Sequence, residues 1–268
     1  MAQSKKLPSD ITSYDFFKAV AVILMIIDHI GWYFFPEGLW WRAFGRLCVP
    51  IWFFLIGYAR SRDLSPKLWI GGGVLVVASI VIGQFALPLN ILFSILIVRI
   101  LLDQVMEFAK SSLNNFAAAT FILTVLVIPS MFLWEYGTQA FLLAMFGYAV
   151  RHKQEMQSLH KEAIEIFLAV NLALYAGFQY IVFLFDQAQI LFITAGLFFV
   201  FGLLWRFEPA TYPKLSQSMP GFMKSTIQFF GRRTLEIYIA HLLIFKAAAL
   251  FVDPETYQLF NVSLFPPN

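Results

Sequence analysis

The stretch Tyr14–Phe35, YDFFKAVAVILMIIDHIGWYFF, decides the class of fold. About 20 apolar residues, each rising ~1.5 Å along a helix, span the ~30 Å hydrocarbon core of a bilayer. The stretch is that long, yet it contains Lys18, Asp28 and His29. Ionisable groups are costly inside a spanning helix and usually face the protein interior or a wet cavity. We therefore predict a membrane helix that carries a functional site, with Asp28 and His29 as its first candidates.

The spacing of Lys18 and His29 supports this interpretation. About three helical turns separate them, so both lie on nearly one face, with the imidazole ~16 Å further along the helix than the cation. That layout suits a long anionic ligand held at one end and reacting at the other. The structural alternative is a lysine whose head reaches the membrane surface and a histidine that hydrogen-bonds within a bundle.

The composition of the whole chain indicates a polytopic membrane protein. Of its 268 residues, 60% are hydrophobic and 13% are charged, and the mean hydropathy is +0.73. Soluble domains are ~45–50% apolar and ~25% charged. We expect one integral-membrane domain over residues 1–268, surrounded by membrane lipids. The single Cys48 excludes an internal disulfide and a cysteine-based metal site, and the modest net charge of +3 does not indicate nucleic-acid binding.

Apolar segments predict an all-α bundle of about nine transmembrane helices, within a range of eight to ten. They lie at 14–35, 41–59, 68–87, 90–108, 116–134, 136–150, 163–185, 188–206 and 229–251. The segment 136–150 is short enough to be re-entrant. Pro50 and Pro129 fall inside predicted spans and predict kinks there.

Basic residues gather on one side of the predicted bundle, which the positive-inside rule assigns to the cytoplasm. With the N-terminus in the cytoplasm, Arg42 is the only basic residue of the outer loops. The cytoplasmic loops then contain Lys5, Lys6, Arg60, Arg62, Lys67, Lys110, Arg151, Lys153, Lys161, Arg206, Lys214 and Lys224. We therefore predict a cytoplasmic N-terminus and an external C-terminus.

Charged residues inside the second and fourth spans predict ion pairs. Arg42 and Arg46 are four apart and share one helical face. Arg46 needs an anionic partner within the membrane, and Asp28 on the first helix is the natural candidate. In the fourth span, Arg99 and Asp103 are also four apart and are expected to form a structural pair, with binding of a phosphate or carboxylate by Arg99 as the alternative.

The last span contains a further candidate site. Arg232 and Glu236 have the spacing of a helical pair, and Tyr238 and His241 share a face near the middle of the membrane. A histidine at that depth is a functional candidate, and an interhelical hydrogen bond is its structural alternative. Lys246 is expected to extend to the outer interface.

Motif searches narrow the chemistry. The sequence lacks a Walker loop, a GxGxxG motif after a strand, HExxH and GxSxG, and it offers no cluster of metal ligands, so we expect no metal. A neutral imidazole is the usual general base for a hydroxyl or an amine. His29 fits that role, with Asp28 or another carboxylate to orient it.

Two blocks of the sequence are similar to one family. The block DFFKAVAVILMIIDHIGWYFF…RAFGRLCVPIWFFLIGYARSR (Asp15–Arg62) resembles the start of the TraX family, and FGRRTLEIYIAHLLIF in the last span resembles the "GrrSLeiYllH" ending of related families. TraX belongs to the wider transmembrane acyltransferase superfamily, together with the membrane sugar O-acyltransferases and the lysosomal heparan-glucosaminide acetyltransferase.

The resemblance implies acetyl transfer across a bacterial cytoplasmic (inner) membrane. Acetyl-CoA would enter from the cytoplasm, and the acetyl group would reach an amine or hydroxyl acceptor outside, which is the N-terminus of pilin in the TraX family and a glycan in sugar acyltransferases. His29 matches the first-helix histidine of the superfamily, His241 its last-helix histidine and Arg46 its basic position after the first helix.

The basic residues at the predicted cytoplasmic mouth fit the phosphates of CoA. Its pantetheine arm is ~15–20 Å long by chain extension, similar to the separation of Lys18 and His29. We expect one shaft from a basic rim to His29. The predicted CoA-binding residues are Lys18, Arg99, Arg60, Arg62, Arg232, Arg233 and Tyr238.

Two other classes of function stay open. A proton-coupled transporter or flippase would use Asp28, His29, Arg99, Asp103 and His241 as a relay, although the sequence contains no inverted repeat. A non-catalytic membrane scaffold would use the buried charges only as structural pairs.

Overall fold

All regular structure in the described part of the chain is helical, apart from two isolated β-bridges. The computed structural model describes residues 8–158, 161–261 and 263–265. Its α-helices are α1 (Ser13–Phe34), α2 (Leu39–Gly45), α3 (Cys48–Tyr58), α4 (Pro66–Val81), α5 (Ile91–Ala109), α6 (Leu113–Val125), α7 (Val127–Met131), α8 (Gln139–Arg151), α9 (Lys161–Phe183), α10 (Gln187–Trp205), α11 (Pro213–Ser218), α12 (Gly221–Arg232) and α13 (Thr234–Val252). The all-α prediction is confirmed.

Local sequence explains where several helices begin. Thr12 and Asp15 form a capping box at the start of α1: the Asp15 amide donates to Thr12 Oγ1 at 3.1 Å, and the Thr12 amide donates to Asp15 Oδ2 at 3.0 Å. Asp186 and Gln189 cap α10 in the same way. Each box satisfies backbone donors that the first helical turn leaves free.

The prolines inside the predicted spans mark helix breaks. Because Pro50 has no amide hydrogen, it cannot bond the carbonyl of Arg46, four residues earlier. The predicted span 41–59 accordingly divides into α2 and α3 at this point, and the Tyr175 hydroxyl on α9 donates to the Arg46 carbonyl instead, at 2.7 Å. Pro129 lies beyond a second break, between α6 and α7. Both predicted kinks are confirmed.

The centre of the bundle is the pair α3 and α8. Every residue of α8 from Gln139 to Val150 is buried, as is nearly all of α3. A Cβ added at Gly57 would collide with the Ala144 carbonyl, and one added at Gly147 with the Phe54 carbonyl. The two backbones can therefore touch only because these positions are glycines. The segment predicted at 136–150 is thus a helix enclosed by protein rather than by lipid.

In the described part of the chain, five helical stretches are long and apolar enough to cross a membrane: Ser13–Phe34, Leu39–Tyr58 (α2 and α3 together), Glu162–Phe183, Gln187–Trp205 and Thr234–Val252. Two shorter helices, Pro66–Val81 and Leu113–Val125, are also apolar. Large apolar side chains cover the outer faces of α9 and α10, as a lipid-facing surface requires. The membrane-helical class is therefore confirmed, while the count of nine spans and the cytoplasmic N-terminus stay predictions.

The end of the chain departs from the predicted span 229–251. Helix α12 ends at Arg232 and α13 begins at Thr234, so Arg233 separates two helices. Helix α12 packs on the start of α1, where Gly231 lies directly against the Asp15 backbone. The last membrane helix therefore starts five residues later than hydropathy predicts, because Phe229 and Phe230 belong to α12. Lys5 and Lys6 of the predicted cytoplasmic loops lie outside the described residues.

Candidate functional site

Asp28 accepts hydrogen bonds from two arginines at the end of α1. Arg42 Nη1 lies 2.8 Å from Asp28 Oδ2 and 2.9 Å from the Asp28 carbonyl oxygen. Arg46 Nε donates to Asp28 Oδ1 at 2.9 Å, and Arg46 Nη2 also bonds the carboxylate. All three side chains are buried. The expected pair of Asp28 and Arg46 is present, and it ties α1 to the junction of α2 and α3.

Gly45 makes this arrangement possible. A Cβ at position 45 would overlap the Asp28 side chain, so only glycine lets α2 approach α1 closely enough for both arginines to reach the carboxylate. Arg46 Nη1 also donates to the Tyr136 hydroxyl at 3.2 Å. The guanidinium of Arg46 is therefore held between α1 and the start of α8.

His29 and His241 form a hydrogen-bonded pair between α1 and α13. His29 Nδ1 lies 2.8 Å from His241 Nε2, and His241 Nδ1 lies 2.6 Å from the Ile237 carbonyl oxygen. A carbonyl only accepts, so His241 Nδ1 carries a hydrogen and, in the neutral ring, His241 Nε2 accepts. His29 Nδ1 must then donate, which leaves His29 Nε2 with a lone pair. Among the described residues, no hydrogen bond to His29 Nε2 is found.

The orientation of His29 differs from the prediction. We expected Asp28 or another carboxylate to hold the imidazole, but Asp28 is occupied by Arg42 and Arg46. The ring is held by His241, which the sequence places 212 positions away. The physical reason is that two buried guanidiniums compete more strongly for a carboxylate than a neutral imidazole does.

His29 lines a cavity of about 320 Å³. The Asp28–Arg42–Arg46 cluster, Glu135, Tyr136 and Lys246 also line this space, which we call the His29 cavity. A neutral imidazole with a free lone pair can remove a proton. The cationic side chains beside it can stabilise a negative charge that develops during a reaction.

A second cavity, of about 360 Å³, lies beside the first halves of α1 and α13. Lys18 and Arg99 supply its cationic groups, and the rest of its wall is mainly apolar; we call it the Lys18 cavity. Tyr238 lines both cavities. Its ring centre lies 6.0 Å from that of His29 and 5.8 Å from that of His241. We expected a single shaft from Lys18 to His29, whereas these two residues line different cavities that meet at Tyr238.

The remaining predicted CoA-binding residues lie outside both cavities. Arg62 donates to the carbonyls that end α3 and pairs with Asp103 at 3.0 Å. Arg232 pairs with Asp15 at 2.8 Å and bonds the chain before α1. Arg60 and Arg233 are exposed. Of the four arginines predicted at the rim, two are thus used in holding the fold.

Two predicted ion pairs are wrong. Asp103 pairs with Arg62 rather than Arg99, whose guanidinium bonds the Asp63 carbonyl. Glu236 lies 3.5 Å from Arg233, since Arg232 is occupied by Asp15. In each case the arginine that was predicted to pair within its helix bonds a group from another part of the chain instead. The proposed relay is also divided, because Asp103 is 58% exposed and Arg99 lines the Lys18 cavity.

Sequence reasoning missed Glu135 and misplaced Lys246. Glu135 lies in the short interval between α7 and α8, and the predicted spans 116–134 and 136–150 left no room for a loop around it. The absence of a loop between these two predicted spans was the signal that could have placed Glu135 inside the protein. Lys246 was expected at the interface, but it is buried and donates to Ser79 Oγ at 2.9 Å and to Gln84 Oε1.

Comparison with known proteins assigns a family. The model of the family described as "TraX protein" matches residues 13–247. An "Uncharacterized protein RP591" of Rickettsia prowazekii (strain Madrid E) is 29% identical over 144 residues, which cover 53% of this chain and 58% of that relative. No solved structure matches the chain. The resemblance that the first and last spans indicated is confirmed, and the chain belongs to the TraX family.

Proposed function

We propose that the chain is an integral-membrane acetyltransferase of the bacterial cytoplasmic (inner) membrane. It moves an acetyl group from cytoplasmic acetyl-CoA to an amine or hydroxyl on the outer face. The observation that carries this proposal is the His29–His241 pair, whose hydrogen-bond pattern leaves His29 Nε2 unprotonated. A base in that state, lining a cavity with fixed positive charges, is suited to acyl transfer.

The donor acetyl-CoA would occupy the Lys18 cavity. Lys18 and Arg99 offer cations to its phosphates, and the apolar wall suits the pantetheine arm. Positive electrostatic potential outside this cavity comes from four further arginines, Arg60, Arg62, Arg232 and Arg233. The thioester would then meet the acceptor at Tyr238, where the two cavities adjoin.

The reaction is a direct transfer. The acceptor is a hydroxyl or a neutral amine. Its oxygen or nitrogen forms a bond to the thioester carbonyl carbon, while His29 Nε2 takes the proton from that same atom. The C–S bond then breaks, and the CoA thiolate receives that proton from His29. His241 holds the ring in the required tautomer. Arg46 and Arg42 supply positive charge for the oxyanion, and Asp28 fixes their position.

The test measures release of CoA from acetyl-CoA by the purified protein in detergent. We expect His29→Ala to lower turnover by about 10²–10⁴-fold, the usual contribution of a general base. His152→Ala is the matched control, because His152 lies in a loop, paired with Glu155 at 2.9 Å, and should keep full turnover. Arg46→Lys is measured beside them.

Full turnover by His29→Ala would contradict the proposal. Proton-coupled flux in liposomes without any dependence on acetyl-CoA would favour the transporter instead. The acceptor is tested by mass spectrometry of acetylated products, with a pilin N-terminal amine, the acceptor associated with the TraX family, and a glycan hydroxyl as the two candidates.

A further inference from the structure

The charges that line the His29 cavity do not balance. The cations among its described lining residues are Arg42, Arg46 and Lys246, and the acids are Asp28 and Glu135. One carboxylate, Asp28, serves both arginines. With His29 neutral, the lining has one positive charge in excess. An unbalanced charge below the membrane surface is expensive, so such a site favours an anionic ligand.

Arg42 has a donor without a partner. It is only 7% exposed, and its Nη1 bonds Asp28, but its Nε–H finds no acceptor among the described residues. A buried donor without an acceptor costs ~1–3 kcal/mol. Because this nitrogen has almost no accessible surface, Arg42 would act on a ligand in the cavity through its positive charge rather than through this donor.

Lys246 is a second cation with room for an anion. It is 5% exposed, and its described hydrogen-bond partners, Ser79 and Gln84, are both neutral. Glu135 lies within electrostatic reach of Lys246, but among the described residues no hydrogen bond or ion pair joins the two side chains. An ammonium group has three donors, so Lys246 keeps one for a ligand.

We propose that the His29 cavity binds a molecule with a carboxylate or phosphate group, held by Lys246 and by the positive charge of Arg42. We identify this molecule as the acetyl acceptor, and that identification rests on the proposed function. The acidic group of the acceptor would lie at Lys246, so neutral or purely cationic acceptors are disfavoured.

The test measures binding without acetyl-CoA, so that it can succeed or fail independently of the His29 experiment. The full chain in detergent is titrated with galacturonate and, as a neutral match, with galactose, and its melting temperature is followed by tryptophan fluorescence. Galactose 6-phosphate tests whether the cavity binds a phosphate group in place of a carboxylate. Nanodiscs of phosphatidylglycerol and of phosphatidylcholine test whether a lipid headgroup supplies the anion.

We expect galacturonate or galactose 6-phosphate to raise the melting temperature more than galactose does. Lys246→Gln should weaken the apparent affinity about tenfold or more, as loss of a charged hydrogen bond predicts. Lys67→Gln is the matched control, because Lys67 is exposed at the start of α4, and it should behave like the wild type. A shift seen with phosphatidylglycerol alone, and lost in Lys246→Gln, would support the same site with a lipid as its ligand. Equal responses to charged and neutral probes, or a response unchanged in Lys246→Gln, would overturn the proposal.

Discussion

At the scale of single residues, Asp28 is the shared partner of two buried arginines. Its carboxylate accepts from Arg42 and from Arg46, and all three groups are buried. Removing one member of a buried ion cluster leaves an uncompensated charge and strongly destabilises the fold. Replacing the whole cluster by apolar residues would change the stability much less. The role of Asp28 is therefore to make two buried guanidiniums tolerable and to fix where they lie.

Asp28→Asn should destabilise the protein by about 3–5 kcal/mol, because two arginines lose their counter-charge. The measurement is thermal unfolding in detergent. Asp103→Asn is the matched control: Asp103 also pairs with an arginine, but its side chain is 58% exposed. Exposed pairs contribute ~0–1 kcal/mol, so that variant should melt close to the wild type. Similar melting temperatures for the two variants would show that Asp28 has no such role.

At the scale of helices, the contact between α3 and α8 organises the bundle. Gly57 and Gly147 allow carbonyl groups of the opposite helix to lie where a Cβ would be. Backbones this close gain from many van der Waals contacts, which are the main attraction between helices once lipid replaces water. The α3–α8 pair then carries Arg46 at the start of α3 and Tyr136 before α8 into the site.

Gly147→Ala should destabilise the protein by about 1–3 kcal/mol, because the added methyl group meets the Phe54 carbonyl and forces the helices apart. Gly177→Ala is the control within another helix, α9, where nothing lies within 4 Å of the added Cβ. There alanine should be neutral or stabilise by about 0.5–1 kcal/mol. Chemical denaturation of both variants gives the comparison, and a stable Gly147→Ala would mean that the contact is loose.

At the scale of the whole molecule, the two cavities are lined by residues from opposite ends of α1. Tyr14 and Lys18 of α1 line one cavity, while Asp28 and His29 of the same helix line the other. Under the proposed function, the donor and the acceptor would enter from opposite sides of the membrane, one through each cavity. The predicted orientation assigns the Lys18 cavity to the cytoplasmic side.

Cysteine labelling tests that assignment. Ala59 lines the Lys18 cavity and Ala86 the His29 cavity, and the single native cysteine, Cys48, is buried. We expect Ala59→Cys to react with a membrane-impermeant thiol reagent only from the cytoplasmic side and Ala86→Cys only from the outside. The wild type is the unreactive control. Reaction of both positions from one side would contradict the two-sided arrangement.

The sequence by itself determined the class of fold and some of its local features. Hydropathy sums over consecutive residues, so the all-α membrane character needs no knowledge of which helices are neighbours. The breaks near Pro50 and Pro129 are equally local, since they follow from an absent amide hydrogen. The pairing of Asp28 with Arg46 was predictable because a charge buried in the membrane requires an opposite one.

Only the tertiary structure decided which polar groups meet. Arg62, rather than Arg99, reaches Asp103, and His241, rather than Asp28, holds His29. Glu135 joins the site from a short interval that hydropathy treats as a boundary. Helical period says which side chains share a face but not which face a neighbouring helix presents. Helix packing therefore divided the expected single shaft into two cavities that meet at Tyr238.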